Sequence, residues 1–203
     1  MPVPREIVDA LESVLGVYFS GVRHRERAAF ILCDELVEVA CKLRARQHDR
    51  KFRMDCTFHA AWHAPGVAIP ENPLGQSIQD SRNTRNTMQH VSPAATVDAQ
   101  HCADAIMDAV SVIEHCWPGA STAHFPDWVR CALRIVRLYS RNGDPGKRQS
   151  FEDAMRDGAW RASERPPRRN EIAIQVGRRE YWTLLMIQSQ VQVEGVLDAL
   201  GIP

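Results

Sequence analysis

Apolar residues recur at helical spacing along most of the chain and predict a mostly α-helical protein. Over residues 4–19 they fall at i, i+4, i+7, i+8 and i+11, which marks one face of an amphipathic helix. Residues 23–46 carry a longer apolar stripe, and the end of this segment turns basic. Five more helices are predicted, over residues 74–90, 96–117, 126–140, 149–164 and 191–200.

Prolines and glycines divide these helices. Residues 54–73 begin with helical potential, but their second half contains three prolines and a glycine and is predicted to be a loop. The strongest break is the NGDPG sequence at residues 142–146. It predicts an up-and-down helical bundle over residues 1–141 and a small C-terminal appendage over residues 145–203.

The appendage combines a possible hairpin with the last helix. Residues 171–176 alternate in polarity, and residues 181–186 are suited to pair with them across a turn as a β-hairpin. A single long helix over residues 180–200 is the competing prediction. Five arginines make this region basic, which either guides RNA or keeps a linker soluble: Arg165, Arg168, Arg169, Arg178 and Arg179.

One predicted helix has almost no apolar stripe. Only Ile78 and Met88 could anchor residues 79–90 to a core, so this segment is either a loop or a helix whose polar face has another role. A helix would bring five polar residues to one band: Arg82, Arg85, Asn86, Gln89 and His90. Positive charge, amide donors and a group that titrates near neutrality suit a phosphodiester substrate.

Spacing within the band separates the possible roles. Asn86 and His90 are four residues apart, so Asn86 can orient the imidazole. Arg85 and His90 diverge by roughly 140° around the helix and would not touch. Pro93 ends the helix near His90, where the helix dipole favours an imidazolium. Two copies of the motif at a dimer interface could surround one phosphate; the alternative is a solvated face that happens to contain a histidine.

Composition limits the partners and the compartment. With 25 basic and 25 acidic residues the formal net charge is zero, so nucleic acid would be bound by local patches only. The best such patch is the basic end of the second helix, with Lys42, Arg44 and Arg46. The sequence has no transmembrane window and no signal-peptide pattern, and five of its six cysteines lie in apolar helical stretches. These features predict a cytoplasmic protein that does not bind membranes.

The helical order and the motif together resemble the HEPN family (higher eukaryote and prokaryote nucleotide-binding domains). The resemblance covers roughly residues 4–117 and rests on Arg85-Asn86-x-x-x-His90 at a helix end, followed by Pro93 and a helix capped by Thr96. Three polar residues embedded in the long second helix add to it: Asp34, Glu35 and Lys42.

The resemblance implies metal-independent RNA cleavage by a homodimer, without a cofactor. The histidine acts as acid and base or orients the phosphate, and the arginine stabilises developing negative charge. The expected catalytic residues are Arg85, His90 and Asn86. The expected RNA-binding residues are Arg82, Gln89, Lys42, Arg44 and Arg46. Members of the family are commonly toxins or phage-defence effectors with an antitoxin or regulatory partner.

Two qualifications accompany the resemblance. Toxins silenced by an adjacent nucleotidyltransferase carry a tyrosine two positions after the histidine, where this chain has Ser92. The alternative function is a catalytically inactive HEPN dimer that binds a nucleotide, RNA or a protein partner.

Two further clusters offer other chemistry. Cys56, His59 and His63 are zinc-ligand types at helical spacing, although the sequence shows no fourth ligand. The His-Cys pairs at 101–102 and 115–116 align on one helix, where a Cys–His nucleophile would still need an orienting group. Neither cluster enters the predicted site, for which no metal is expected.

Overall fold

The computed structural model of the protein describes residues 1–20, 23–90, 96–157, 171–176, 180–185 and 190–203. The described chain is mostly helical, as the sequence predicts. Its helices are α1 (Arg5–Tyr18), α2 (Arg25–His48), α3 (Phe58–Trp62), α4 (Gln76–His90), α5 (Ala99–Cys116), α6 (Ala120–Ala123), α7 (Asp127–Tyr139), α8 (Pro145–Asp157) and α9 (Gln190–Ala199). None of these helices is both long and apolar enough to cross a membrane.

Helix α5 lies at the centre of the core. It packs against α2 and α7, and α1 packs against α2 and touches α7. Ala103, Ala105 and Ala109 are among its buried residues, and such small side chains let neighbouring helices approach closely. Ile106 and Ile113 are fully buried beside them.

Side-chain caps decide where several helices begin. Asp98 accepts a hydrogen bond from the His101 N–H at 2.8 Å, so α5 starts two residues later than a Thr96 cap would place it. The Glu114 carboxylate accepts the N–H groups of Gly119 and Ser121, at 2.9 and 2.5 Å, and holds the short helix α6, which the sequence pattern does not predict.

The last described helices belong to the same core as the bundle. Asp144 accepts N–H bonds from Gly146 and Lys147, so α8 begins at Pro145, within the predicted break rather than at residue 149. Helices α8 and α9 both pack on α7. Their fully buried side chains join the main cluster: Phe151, Val193 and Leu197. These contacts connect α8 and α9 to the bundle, and the division into two domains stays a prediction.

Two strands, β1 (Glu171–Val176) and β2 (Glu180–Leu185), pair antiparallel with Ile172 opposite Leu184. The connection at 177–179 lies outside the described residues, so the β-hairpin stays a prediction. Several other residues singled out in the sequence also lie outside the described part of the chain: Arg165, Arg168, Arg169, Arg178, Arg179, Ser92 and Pro93.

Candidate functional site on helix α4

Helix α4 forms although it contributes little to the core. Ile78 and Met88 are its only buried residues, as the sequence suggests. Polar contacts supply the remaining attachment. At its first turns the Ser77 hydroxyl donates to Asp108 of α5 at 2.5 Å, and at its last turn an Arg27 guanidinium N–H donates to the Met88 carbonyl at 3.1 Å.

The main polar attachment joins the middle of α4 to α2. Arg82 donates to Asp34 Oδ1 at 2.9 Å and to Glu38 Oε2 at 3.1 Å. Arg85 Nε lies 3.4 Å from Asp34 Oδ2, and Glu38 also pairs with Lys42 at 2.8 Å. We call Asp34, Glu38, Lys42, Arg82 and Arg85 the α2–α4 ion cluster.

Burial and charge oppose each other within this cluster. The Asp34 side chain is only 8% exposed, and burial raises its pKa although Arg82 and Arg85 act to lower it. Burial also acts to raise the pKa of Glu38, but hydrogen bonds from Lys42 and Arg82 outweigh it and leave that pKa lowered. The cluster therefore binds both acidic side chains to guanidinium or ammonium groups and fixes α4 against α2.

The polar band predicted for α4 divides into two faces. Arg82 and Arg85 face α2, with side chains 19% and 26% exposed. Asn86, Gln89 and His90 are exposed, and His90 forms no hydrogen bond or ion pair with any residue that the structure describes. Arg85 reaches across this division, because its Nη1 donates to Asn86 Oδ1 at 3.1 Å. Arg85 and Asn86 are thus in contact, while His90 stands one turn further along.

The other predicted RNA-binding cations all have partners within the chain. Lys42 pairs with Glu38, Arg44 Nε donates to the Gly66 carbonyl at 3.0 Å, and Arg46 Nη1 donates to the Phe52 carbonyl at 3.3 Å. These contacts fix the end of α2 and the loop that follows. Their assignment to RNA stays a prediction.

A cleft lies between α3 and α4 on the side of Asn86. It has a volume of about 420 Å³ and is lined by side chains of both helices, among them Phe58, His59, Trp62, His63, Gln79 and Asn86. We call it the α3–α4 cleft. The sequence pattern offers His59 and His63 only as zinc ligands and does not reveal this cleft. The signal was present in the two i, i+4 pairs, Phe58 with Trp62 and His59 with His63, which place all four rings on a short helix.

Neither the predicted zinc-ligand group around α3 nor the His-Cys pairs on α5 have the arrangement that their chemistry requires. Among the described residues no group of three or more His, Cys, Asp or Glu side chains is arranged to hold a metal ion, and this applies to Cys56, His59 and His63. Cys102 and Cys116 are buried, and burial raises their pKa to about 12 and about 11. Thiols that remain protonated at neutral pH are poor nucleophiles.

Comparison of the chain with protein families, curated proteins and solved structures gives no match. The function is therefore inferred from the chemistry of α4 and its neighbours. The exposed Asn86 amide contacts the Arg85 guanidinium, which lies against the Asp34 carboxylate, and the exposed His90 imidazole follows one turn further along. Such groups can move a proton and stabilise a developing negative charge.

Proposed function

We propose that the protein is a metal-independent endoribonuclease of the HEPN type, acting as a toxin or phage-defence effector at a site shared by two protomers. One observation carries this proposal: α4 exposes His90 and Asn86 while Asp34 and Asn86 both contact the neighbouring Arg85. Acid–base and electrostatic catalysis of phosphodiester cleavage needs these side-chain types close to one phosphate.

RNA supplies the nucleophile for this chemistry. His90 takes the proton from a ribose 2′-hydroxyl, and the resulting oxygen attacks the adjacent phosphorus. Arg85 stabilises the negative charge that develops on the phosphoryl oxygens. The bond from phosphorus to the 5′-oxygen then breaks, and that oxygen takes the proton that the imidazole received from the 2′-hydroxyl, which leaves a 2′,3′-cyclic phosphate and a 5′-hydroxyl end.

A second protomer completes the site. Arg85 is turned toward α2 and His90 toward solvent, so one α4 presents the two groups on different sides. A two-fold axis beside the exposed end of α4 would bring the partner's copy of the same residues to the same phosphate, and such isologous contacts are the commonest oligomer geometry.

Substitution of the motif tests this function. We expect His90→Ala to reduce RNA cleavage by about 10²- to 10⁴-fold, the usual contribution of acid–base catalysis. Arg85→Ala should reduce it by about 10²- to 10³-fold, the typical cost of losing a charge-stabilising donor. His124→Ala, a matched exposed histidine after α6, should cleave like the parent. Cleavage by His90→Ala at the parent rate would remove the catalytic assignment, and unfolding of Arg85→Ala would indicate a structural arginine.

Subunit mixing tests the composite site. Excess His90→Ala protein added to the parent should lower its activity beyond simple dilution, provided that subunits exchange. Full ribonuclease activity in a preparation that sediments only as monomer at micromolar concentration would refute the shared site.

A catalytically inactive HEPN dimer is the alternative function, and one observation favours it. Arg82 and Arg85 are already ion-paired to Asp34 and Glu38, which reduces the positive charge that they offer a phosphate. RNA or nucleotide binding without any cleavage, unchanged by His90→Ala, would support this alternative.

A further inference from the structure

Aromatic rings form one wall of the α3–α4 cleft. The Phe58 and Trp62 rings lie with their centroids 5.3 Å apart, and the His59 and His63 rings lie 4.4 Å apart. Both histidines are exposed, whereas Phe58 and Trp62 are half-buried against the core. Since the guanidinium of Arg82 covers Phe58 at 4.0 Å, Trp62 and the two imidazoles remain to present ring surface to a ligand.

The charge inside the cleft favours an uncharged ligand group. Arg82 is the only arginine or lysine among the described residues that line it, and Asp34 and Glu38 both accept hydrogen bonds from its guanidinium. A phosphate entering the cleft would meet a cation whose charge is already balanced by two carboxylates. A planar neutral ring would instead find aromatic and guanidinium surfaces on which to stack.

Amide side chains along α4 add hydrogen-bonding capacity at both ends of the cleft. Gln79 and Asn86 are separated by about 10 Å of helix, at 1.5 Å per residue. Asn86 accepts a bond from Arg85 with its oxygen, and Gln79 donates one to Asn83 with its nitrogen. This leaves the Asn86 NH₂ as a donor and the Gln79 oxygen as an acceptor, and the edges of nucleobases carry both kinds of partner group.

The cleft continues past Trp62 along the same helix. A second depression, lined in part by Phe58, Trp62, Gly75 and Gln79, adjoins it on the side of the turn Glu71–Gly75. Gly75 makes room there, because a Cβ at this position would lie 3.5 Å from the Trp62 ring and 2.8 Å from the Pro70 carbonyl oxygen. Together the two depressions follow α4 toward its first turn, while the Asn86 end leads to the proposed catalytic residues.

From this arrangement we infer that the α3–α4 cleft binds unpaired bases of single-stranded RNA and guides the strand to the end of α4. The inference rests on the proposed ribonuclease function and adds to it a site that holds bases of the substrate. Bases in a duplex are stacked on their neighbours and cannot enter such a cleft, whereas unpaired bases stack on aromatic side chains and arginine planes.

Binding of a fluorescently labelled RNA strand tests the inference, with the full chain carrying His90→Ala to prevent cleavage. Three ligands are compared: the single strand, the same strand annealed to its complement, and a strand of the same length built from abasic nucleotides. The single strand should bind most tightly. In this background His63→Ala and Trp62→Leu should each weaken its binding by about 5- to 150-fold, the range measured for loss of one base–aromatic stack.

Matched variants separate the cleft from general effects. His124→Ala and Trp128→Leu change an exposed histidine and a half-buried tryptophan that do not line the cleft, and both should bind like the parent. If the Trp62→Leu protein shows a weaker helical circular dichroism signal than the parent, the His59→Ala protein is used in its place. His59 is exposed, so its removal disturbs no buried contact.

The outcomes distinguish this inference from the proposed function. Equal binding of the abasic and normal strands, equal binding of the duplex, or unchanged binding by the cleft variants would each overturn the inference. Weakened binding by the cleft variants without any RNA cleavage by wild-type protein would keep the inference and reject the ribonuclease. Cleavage that is lost in His90→Ala but unchanged in the cleft variants would keep the ribonuclease and reject the inference.

Discussion

Removing the Asp34 carboxylate should loosen helix α4 from the bundle. Asp34→Ala leaves Arg82 with Glu38 as its one carboxylate partner in the described chain and leaves Arg85 with Asn86. The apolar attachment of the helix, through Ile78 and Met88, is unchanged by this substitution. Full burial of one such side chain contributes about 1.5–3 kcal/mol. A hydrogen bond to a charged group contributes a similar free energy, so the ion cluster and the apolar contacts hold α4 about equally strongly.

The expected loss in free energy of unfolding is about 2 kcal/mol. A hydrogen bond to a charged group contributes roughly 1.5–3 kcal/mol, and Asp34 accepts one from Arg82 at 2.9 Å. Breaking a fully buried ion pair costs about 3–5 kcal/mol, which is an upper limit here. Arg82 and Arg85 retain 19% and 26% exposure, so water can solvate both after the carboxylate is removed. Relief of the desolvated Asp34 charge offsets part of the loss.

Urea unfolding followed by circular dichroism measures the overall loss, and hydrogen exchange resolved along the chain locates it. Glu35→Ala is the matched control, because Glu35 is the exposed neighbour on the same helix and its removal should change stability by less than about 0.5 kcal/mol. Amide exchange in α4 should accelerate in Asp34→Ala before exchange in α5 does. Equal stability of the two variants, or acceleration spread evenly over the bundle, would refute the reasoning.

Three other predictions concern the chemistry and the fold. RNA cleavage should persist in excess chelator, because the proposed step uses an imidazole and a guanidinium; loss that divalent metal restores would place the chemistry elsewhere. Glu114→Gln should destabilise the protein by about 1 kcal/mol at neutral pH. Burial acts to raise the pKa of Glu114, but hydrogen bonds from Ser121 and Gly119 outweigh it and leave the pKa lowered, so the contribution is present above the ordinary pKa of 4.5 and disappears as pH falls through the folded-state pKa. A stability difference that persists in acid, measured by urea titration across pH, would contradict this. Phe151→Ala should cost about 3–5 kcal/mol in a single unfolding transition, and a separate early transition of the C-terminal helices would refute a shared core.

Periodicity predicted the long helices because their stripes are buried as the pattern requires. Apolar periodicity does not determine where a helix begins or ends, because the boundary depends on which capping residue is used. Thr96 and Asp98 are both good capping residues, and only the structure shows that Asp98 holds the first turn of α5. Helix α6 has four residues and depends on Glu114 from the end of α5, a contact that no local pattern records.

The sequence singled out the polar side chains of α4 but not the side chains that they contact. The scarcity of apolar residues in α4 indicated either a loop or a helix whose polar face has another role. The structure shows a helix, and part of its polar face is attached to α2. The sequence did not reveal that Arg82 would pair with Asp34 and Glu38, because these contacts join residues 48 and 44 positions apart. The α3–α4 cleft was missed for the same reason: its two walls come from helices separated by a proline-rich loop.

The small contribution of α4 to the core has a consequence for how this protein can diverge. Substitutions at solvent-facing positions such as Gln79, Asn83 and Gln89 remove no buried surface and should rarely cost more than about 0.5 kcal/mol. The alanines of α5 allow no such freedom, because larger side chains there would overpack the interior. A combinatorial library at these solvent-facing positions of α4 should therefore consist mainly of folded proteins. Binding specificity can change by drift along this helix while the scaffold beneath it stays constant.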